Sequence, residues 1–135
     1  FNYSNLPVIS DDSGLCIMSL KKKPGIYSAR LATKHGSFLK AMRFILKKMS
    51  SIKNRNAFFV CSLSYKEKKG KTITVEGKLM GKISKSIKGK KGFGYDPIFI
   101  PSKYNITFGQ MTKSKKIKID HRFLAFQKLR KKIKI

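Results

Sequence analysis

The chain has 135 residues, 41% of them hydrophobic, which bounds it to one domain with a modest core. No apolar run reaches the roughly 18 residues that a membrane-crossing helix needs. With 32 basic residues against 6 acidic ones the formal charge is +26, a balance that favours phosphate-bearing partners. Arg stands only at 30, 43, 55, 122 and 130, and the other basic residues are Lys scattered along the whole chain. Specific base readout prefers Arg, so biased codon usage explains the Lys excess at least as well as a selected nucleic-acid surface does. Cys16 and Cys61 match no metal or redox spacing and read as reduced, buried thiols of a cytosolic protein. No signal peptide is expected from the residues ahead of the first apolar run. The chain opens on Phe1 rather than Met, so an N-terminal part of a larger domain is expected ahead of it.

In chain order, Leu6, Pro7, Val8 and Ile9 read as a buried strand running into a tight turn, Asp11-Asp12-Ser13-Gly14. A carboxylate pair at a strand end is where an α/β protein places a magnesium site; the plain alternative is a surface turn rich in Asp and Ser. Residues 15–18 continue extended, and Lys21 to Gly25 form a Pro-Gly turn. Arg30 reads equally as a brace for a carboxylate or phosphate and as an ordinary surface residue. Residues 37–49 predict an amphipathic helix with Ser37 as N-cap and Phe38, Met42, Ile45 and Met49 in the core stripe. Residues 57–65 predict a strand, 66–71 a polar connection and 72–83 a returning strand, with a bulge at Glu76-Gly77. After a basic loop over 85–91 comes Gly92-Phe93-Gly94-Tyr95-Asp96-Pro97, whose rings either offer a flat face to a nucleobase or pack in the core. Residues 107–111 read as a turn into a short helix, and Lys113, Lys115, Lys116 and Lys118 form a cluster of the kind that is usually solvated. Asp120 is a good N-cap for a last helix with Phe123, Phe126, Leu129 and Ile133 on one face. His121 and Arg122 fall in its first turn, where the helix dipole disfavours cations, and that favours a functional reading of the pair.

Three stretches stand in order: the acidic stretch 6–15, the Gly-Phe-Gly-Tyr-Asp-Pro stretch 92–99, and Lys116 through His121-Arg122. Their order and spacing, with residues 24–30 and Glu76-Gly77 and Gly81 between them, resemble the inosine triphosphate pyrophosphatase (ITPase-like, XTP/dITP diphosphatase) family from residue 6 to about 130. The resemblance implies a single α/β domain over 1–135, with a mixed central sheet, flanking helices and two lobes around a nucleotide cleft. It also implies a cytoplasmic homodimer that uses Mg²⁺ to hydrolyse ITP, dITP or XTP to the monophosphate and pyrophosphate. No membrane partner is implied and nucleic acid is not an expected partner. Asp12 then corresponds to the general base beside the metal and Asp11 to a second metal-site carboxylate. Ser13 matches a substrate contact, and Lys116 a phosphate-binding lysine. Phe93 matches the ring stacked on the purine, with Gly94, Tyr95 and Asp96 completing the pocket. His121 and Arg122 match the pair that reads the base. A donor aimed at purine position 6 accepts a keto oxygen and rejects the amino group of adenine.

Two positions depart from the family pattern, Asp120 in place of Ser and Gln110 in place of Glu. The family's Thr/Ser-x-Asn-x-x-Lys phosphate-binding segment, and a helix with a further metal-site acid and a lysine, have no counterpart in these residues. A different class of reading, a Lys-rich non-catalytic nucleic-acid-binding protein, explains the charge but not the acidic stretch, the Phe-Gly-Tyr-Asp-Pro stretch or the His-Arg pair.

Overall fold

A computed structural model describes residues 6–67 and 70–133. Its strands are β1 (Val8–Ile17), β2 (Lys23–Gly25), β3 (Asn56–Lys66), β4 (Ile73–Ile83) and β5 (Phe99–Pro101), in the sheet order β2-β1-β3-β4-β5. Its helices are α1 (Ser28–His35), α2 (Phe38–Lys48), α3 (Lys113–Lys116) and α4 (His121–Ile133). The α/β class expected from the sequence stands. The sheet was expected to be mixed; every pairing among the described residues is antiparallel.

The register explains where the core sits. It pairs odd with odd across the three long strands, as in Leu15↔Phe59↔Leu79 and Asp11↔Leu63↔Val75. Successive side chains of a strand point to opposite faces, so all odd residues of β1, β3 and β4 share one face. Both core clusters are built on that face, and no even-numbered residue of these strands belongs to either. One cluster packs Leu15, Ile17, Phe59 and Phe99 against Ala41, Met42 and Ile45 of α2; the other packs Cys61, Leu63 and Val75 against Ala125 and Leu129 of α4. Full burial of each Leu, Ile or Phe contributes about 1.5–3 kcal/mol. Leu15 and Phe59 of the first cluster, with His121 and Arg122 at the start of α4, line a cleft.

Several local expectations are met. Ser37 caps α2, its hydroxyl accepting from the Lys40 N–H at 3.1 Å, and Met42, Ile45 and Met49 are buried. The Asp120 carboxylate accepts from the Phe123 N–H at 2.8 Å at the start of α4. Both cysteines are free and buried. The connection between β3 and β4 falls where expected, though its Lys68 and Lys69 lie outside the described residues.

Other expectations are corrected. The acidic stretch is no turn: β1 pairs with β3 without interruption from Val8↔Lys66 to Ile17↔Ala57, which places Asp11 and Asp12 in mid-strand. Leu6 and Ile9 are exposed, and the buried end of β1 is 14–17. Lys21 and Lys22, both at positive φ, make the turn assigned to Pro24-Gly25, and those two residues instead belong to β2. No bulge interrupts β4 at Glu76-Gly77, since Ser62↔Glu76 and Cys61↔Gly77 pair in step. Gly77 serves another purpose: a Cβ there would collide with the backbone of α4 at the His121 carbonyl and the Ala125 N–H. That close approach selects the stripe His121, Ala125 and Leu129 for burial and leaves Phe126, expected in the core, 46% exposed.

Gly77→Ala is therefore expected to push α4 off the sheet and to cost about 1–3 kcal/mol, as overpacking does. Urea unfolding followed by circular dichroism checks it: the midpoint falls while the slope is unchanged.

Candidate active site

The turn over 92–96 is held from within. Gly92 adopts φ 73°, and a Cβ on it would strike the Asp96 carboxylate, which turns back to accept from the Phe93 N–H at 2.9 Å. The same oxygen, Oδ2, accepts from Lys116 Nζ at 2.5 Å. Asp96 and Lys116 are both buried, so Lys116 leaves the solvated cluster expected of it. Burial pushes the Asp96 carboxyl up, and the hydrogen bonds from Lys116 and the Phe93 N–H oppose that rise. Lys116 Nζ also lies 4.4 Å from the centre of the Phe93 ring and 5.4 Å from that of Phe108. The result is a turn that presents Phe93 outward, 61% exposed, on a fixed cationic support.

Tyr95 does not share that role. Its ring is buried edge-on to Phe38 at 5.2 Å, and its hydroxyl donates to the Ser28 carbonyl at 2.6 Å. Burial pushes its pKa up to about 12. The Ser28 hydroxyl accepts from the Leu15 N–H at 2.9 Å and donates to the Gly25 carbonyl at 2.7 Å. Tyr95 thereby clamps the turn to the start of α1 and to β1. Arg30 meets no acid among the described residues and lies over the Tyr27 ring at 5.5 Å.

The opposite wall is the first turn of α4. His121 is 3% exposed, stacks on Phe59 at 4.8 Å, and its Nδ1 has no hydrogen-bond partner among the described residues. Burial, reinforced by the Arg122 charge, lowers its pKa to about 4, so it is a neutral ring at physiological pH. Arg122 Nε donates to Asp11 Oδ2 at 3.0 Å, and the guanidinium stands 5.0 Å from the centre of the Phe93 ring. The two cations that looked misplaced at a helix N-terminus are thus a neutral imidazole and a paired guanidinium, behind an acidic cap.

Ser13, Phe93, Gly94, Tyr95, Asp96, His121 and Arg122 line one cleft of about 170 Å³. Gly14, Leu15, Ser28, Ala29, Phe38 and Phe59 complete it, and sequence reasoning gave none of these six a site role. The signal for Phe59 is strand parity, which puts it beside Leu15; Ser28 carries no signal short of the Tyr95 contact. Asp11, Asp12 and Lys116 do not line the cleft. Asp11 points to the helix-covered face, where Ser13 Oγ donates to its Oδ1 at 3.1 Å and Cys61 Sγ stands 3.7 Å from its Oδ2. Burial raises the pKa of that thiol. Asp12 points to the other face, in a row with Ser62 and Glu76. The two carboxylates do not converge on one face. Among the described residues no group of three His, Cys, Asp or Glu side chains gathers to hold a metal ion, and no helix is long and apolar enough to cross a membrane.

The comparisons with known proteins agree on one family. Residues 1–132 match the model of the Ham1 family. The chain is 42% identical over 127 residues to a dITP/XTP pyrophosphatase of Clostridium tetani, covering 94% of this chain and 63% of that protein. It is 43% identical over 134 residues to one of Borreliella burgdorferi, covering 95% and 66%. Among solved structures, the Staphylococcus aureus Ham1 protein superposes with a TM-score of 0.92 at 37% identity, covering 98% of this chain and 69% of that one. A HAM1 protein from Coxiella burnetii gives 0.89 at 30%, covering 97% and 68%. The chain spans slightly less than two thirds of the length of these curated relatives. By family match, identity and superposition alike, the chain belongs to the Ham1 family.

Proposed function

We propose that the full protein is a pyrophosphatase that hydrolyses deaminated purine nucleoside triphosphates (ITP, dITP, XTP) to the monophosphate and pyrophosphate. The observation that carries this reading is the pairing of an exposed Phe93 ring with a neutral, buried His121 whose Nδ1 lacks a partner among the described residues, at one cleft with Arg122. A purine stacks on Phe93, and base–aromatic stacking contributes about 1–3 kcal/mol. Arg122 is donor-only and suits the keto oxygen of hypoxanthine or xanthine; against the 6-amino group of adenine it would leave donors facing donors in a partly desolvated site. The names of the curated relatives, dITP/XTP pyrophosphatases, support the same substrate class, and none of the comparisons supports a non-catalytic nucleic-acid-binding protein. Residence in the cytoplasm and a homodimer belong to this reading.

Lys116 enters it as the support of Phe93 through Asp96 rather than as a phosphate ligand, because its ammonium is already engaged by that buried carboxylate. Asp12 keeps its carboxylate exposed on the face away from Arg122, and the role of general base for the attacking water falls to it by the family resemblance alone. The paired-carboxylate magnesium site implied by the resemblance does not fit Asp11 and Asp12 as they stand. Asp12 alone suits an ion held chiefly by substrate phosphates and water, which is how Mg²⁺ is usually bound. Bound there, the ion would neutralise triphosphate charge.

Incubating the full-length protein with Mg²⁺ and either ITP or ATP tests the proposal. IMP and pyrophosphate are expected, with ATP spared; equal turnover of ATP, or release of IDP and phosphate, would sink it. In the same assay Asp12→Asn is expected to lower turnover about 10²–10⁴-fold, the usual weight of general-base catalysis, while calorimetry shows IMP binding largely retained.

The buried imidazole also sets a pH dependence. Its folded pKa of about 4 lies below the unfolded value near 6.5, so the unfolded chain takes up the proton first. The contribution is fully present above about pH 6.5 and is lost as pH falls toward 4, on the order of 3 kcal/mol in all. Urea midpoints measured from pH 7 to pH 4 are expected to fall along this course, and His121→Gln to flatten it.

A further inference from the structure

We infer that Asp11 is a positioning residue for base recognition, the acid that aims Arg122 over Phe93. The inference rests on the base-reading role proposed for the cleft and adds a residue to it.

Both oxygens of the Asp11 carboxylate are engaged on the helix-covered face. Oδ1 accepts from Ser13 Oγ at 3.1 Å, and Oδ2 accepts from Arg122 Nε at 3.0 Å. Ser13 is two residues along the same strand, so its hydroxyl and the Asp11 carboxylate share a face by alternation. The carboxylate is thus oriented before Arg122 meets it. The bond to Arg122 uses Nε and leaves the two terminal nitrogens as donors for a ligand. It also fixes one edge of the guanidinium plane while the group stands 5.0 Å from the centre of the Phe93 ring. A long Arg side chain loses much rotamer freedom when it is held, and a carboxylate on Nε supplies that hold before the ligand arrives.

Stability is a poor reason for this pair. Its side chains are 37% and 40% exposed, and ion pairs at that exposure stabilise a fold little. Metal binding is a poor reason as well. A divalent cation on Asp11 Oδ2 would sit beside the Arg122 guanidinium, and Asp12, its sequence neighbour, projects from the other face.

The test is a double-mutant cycle read without metal. Calorimetry on the full-length protein measures the IMP-over-AMP preference of wild type, Asp11→Ala, Arg122→Ala and the double variant, and Mg²⁺ half-saturation is taken separately from ITP turnover. Asp11→Ala is expected to lower the preference by about tenfold, in keeping with one lost charge-assisted hydrogen bond. Asp11→Asn, which keeps the size of the side chain, should move it in the same direction by less. Adding Asp11→Ala to Arg122→Ala should change the preference by no more than about twofold, because the acid acts through the arginine. Mg²⁺ half-saturation should stay where it is in both Asp11 variants. An unchanged preference in Asp11→Ala, additive losses in the double variant, or a shifted Mg²⁺ half-saturation would each overturn the assignment. A wild type that binds IMP and AMP alike would overturn base reading itself, and this role with it.

Discussion

The site depends on one buried ion pair. Lys116 and Asp96 lie 20 residues apart, one in a single-turn helix and the other at the end of a glycine-punctuated turn, and each is almost fully removed from water. Taking two charges out of water is costly, and their attraction repays it only when the remaining lone pairs and protons are satisfied. Here the Phe93 N–H satisfies the carboxylate further, and the rings of Phe93 and Phe108 flank the ammonium. Loss of either partner would leave the other charged and buried, an outcome that typically costs about 3–5 kcal/mol. The pair therefore contributes less to net stability than to specification. It sets the conformation of the turn, and the turn sets where the Phe93 ring stands.

A second constraint is the alternation of the β-strand. Adjacent acids in a turn point wherever the turn sends them; adjacent acids in a strand point to opposite faces. Because β1 pairs with β3 over its whole length, Asp11 and Asp12 serve different neighbourhoods: Arg122, Ser13 and Cys61 for the first, the row of Ser62 and Glu76 for the second. Two like charges side by side in sequence thus avoid competing for one partner, and each keeps a separate role.

Much of this was legible in the residues. Ser37, the stripe of α2, the Asp120 cap and the long β3–β4 pairing follow from local chemistry, where a side chain meets its own backbone or a period matches a face. The cleft residues carried by the resemblance were legible too, in that seven of them line one wall or the other. What was not legible depended on tertiary partners. Asp, Ser and Gly favour turns in isolation, yet strand propensity yields to pairing, and β3 holds the acidic stretch extended. Lys116 reads as solvated until Asp96 is brought beneath it. Gly77 reads as a bulge until α4 is seen resting on it. The stripe of α4 was misjudged for the same reason, since Ala125 rather than Phe126 fits where the helix backbone touches the sheet.

The hydrogen bonds that close the cleft join residues 13, 20, 67 and 111 positions apart. Contacts of such range form late, because loop closure must come before they stabilise anything, and proteins dominated by non-local pairing fold slowly. Tyr95 to Ser28 and Arg122 to Asp11 each span a large part of the chain, so closing either one costs loop entropy that a local contact does not. A ligand bound across these contacts would draw on segments far apart in the chain, so its occupancy would report the order of the whole fold rather than that of any one segment.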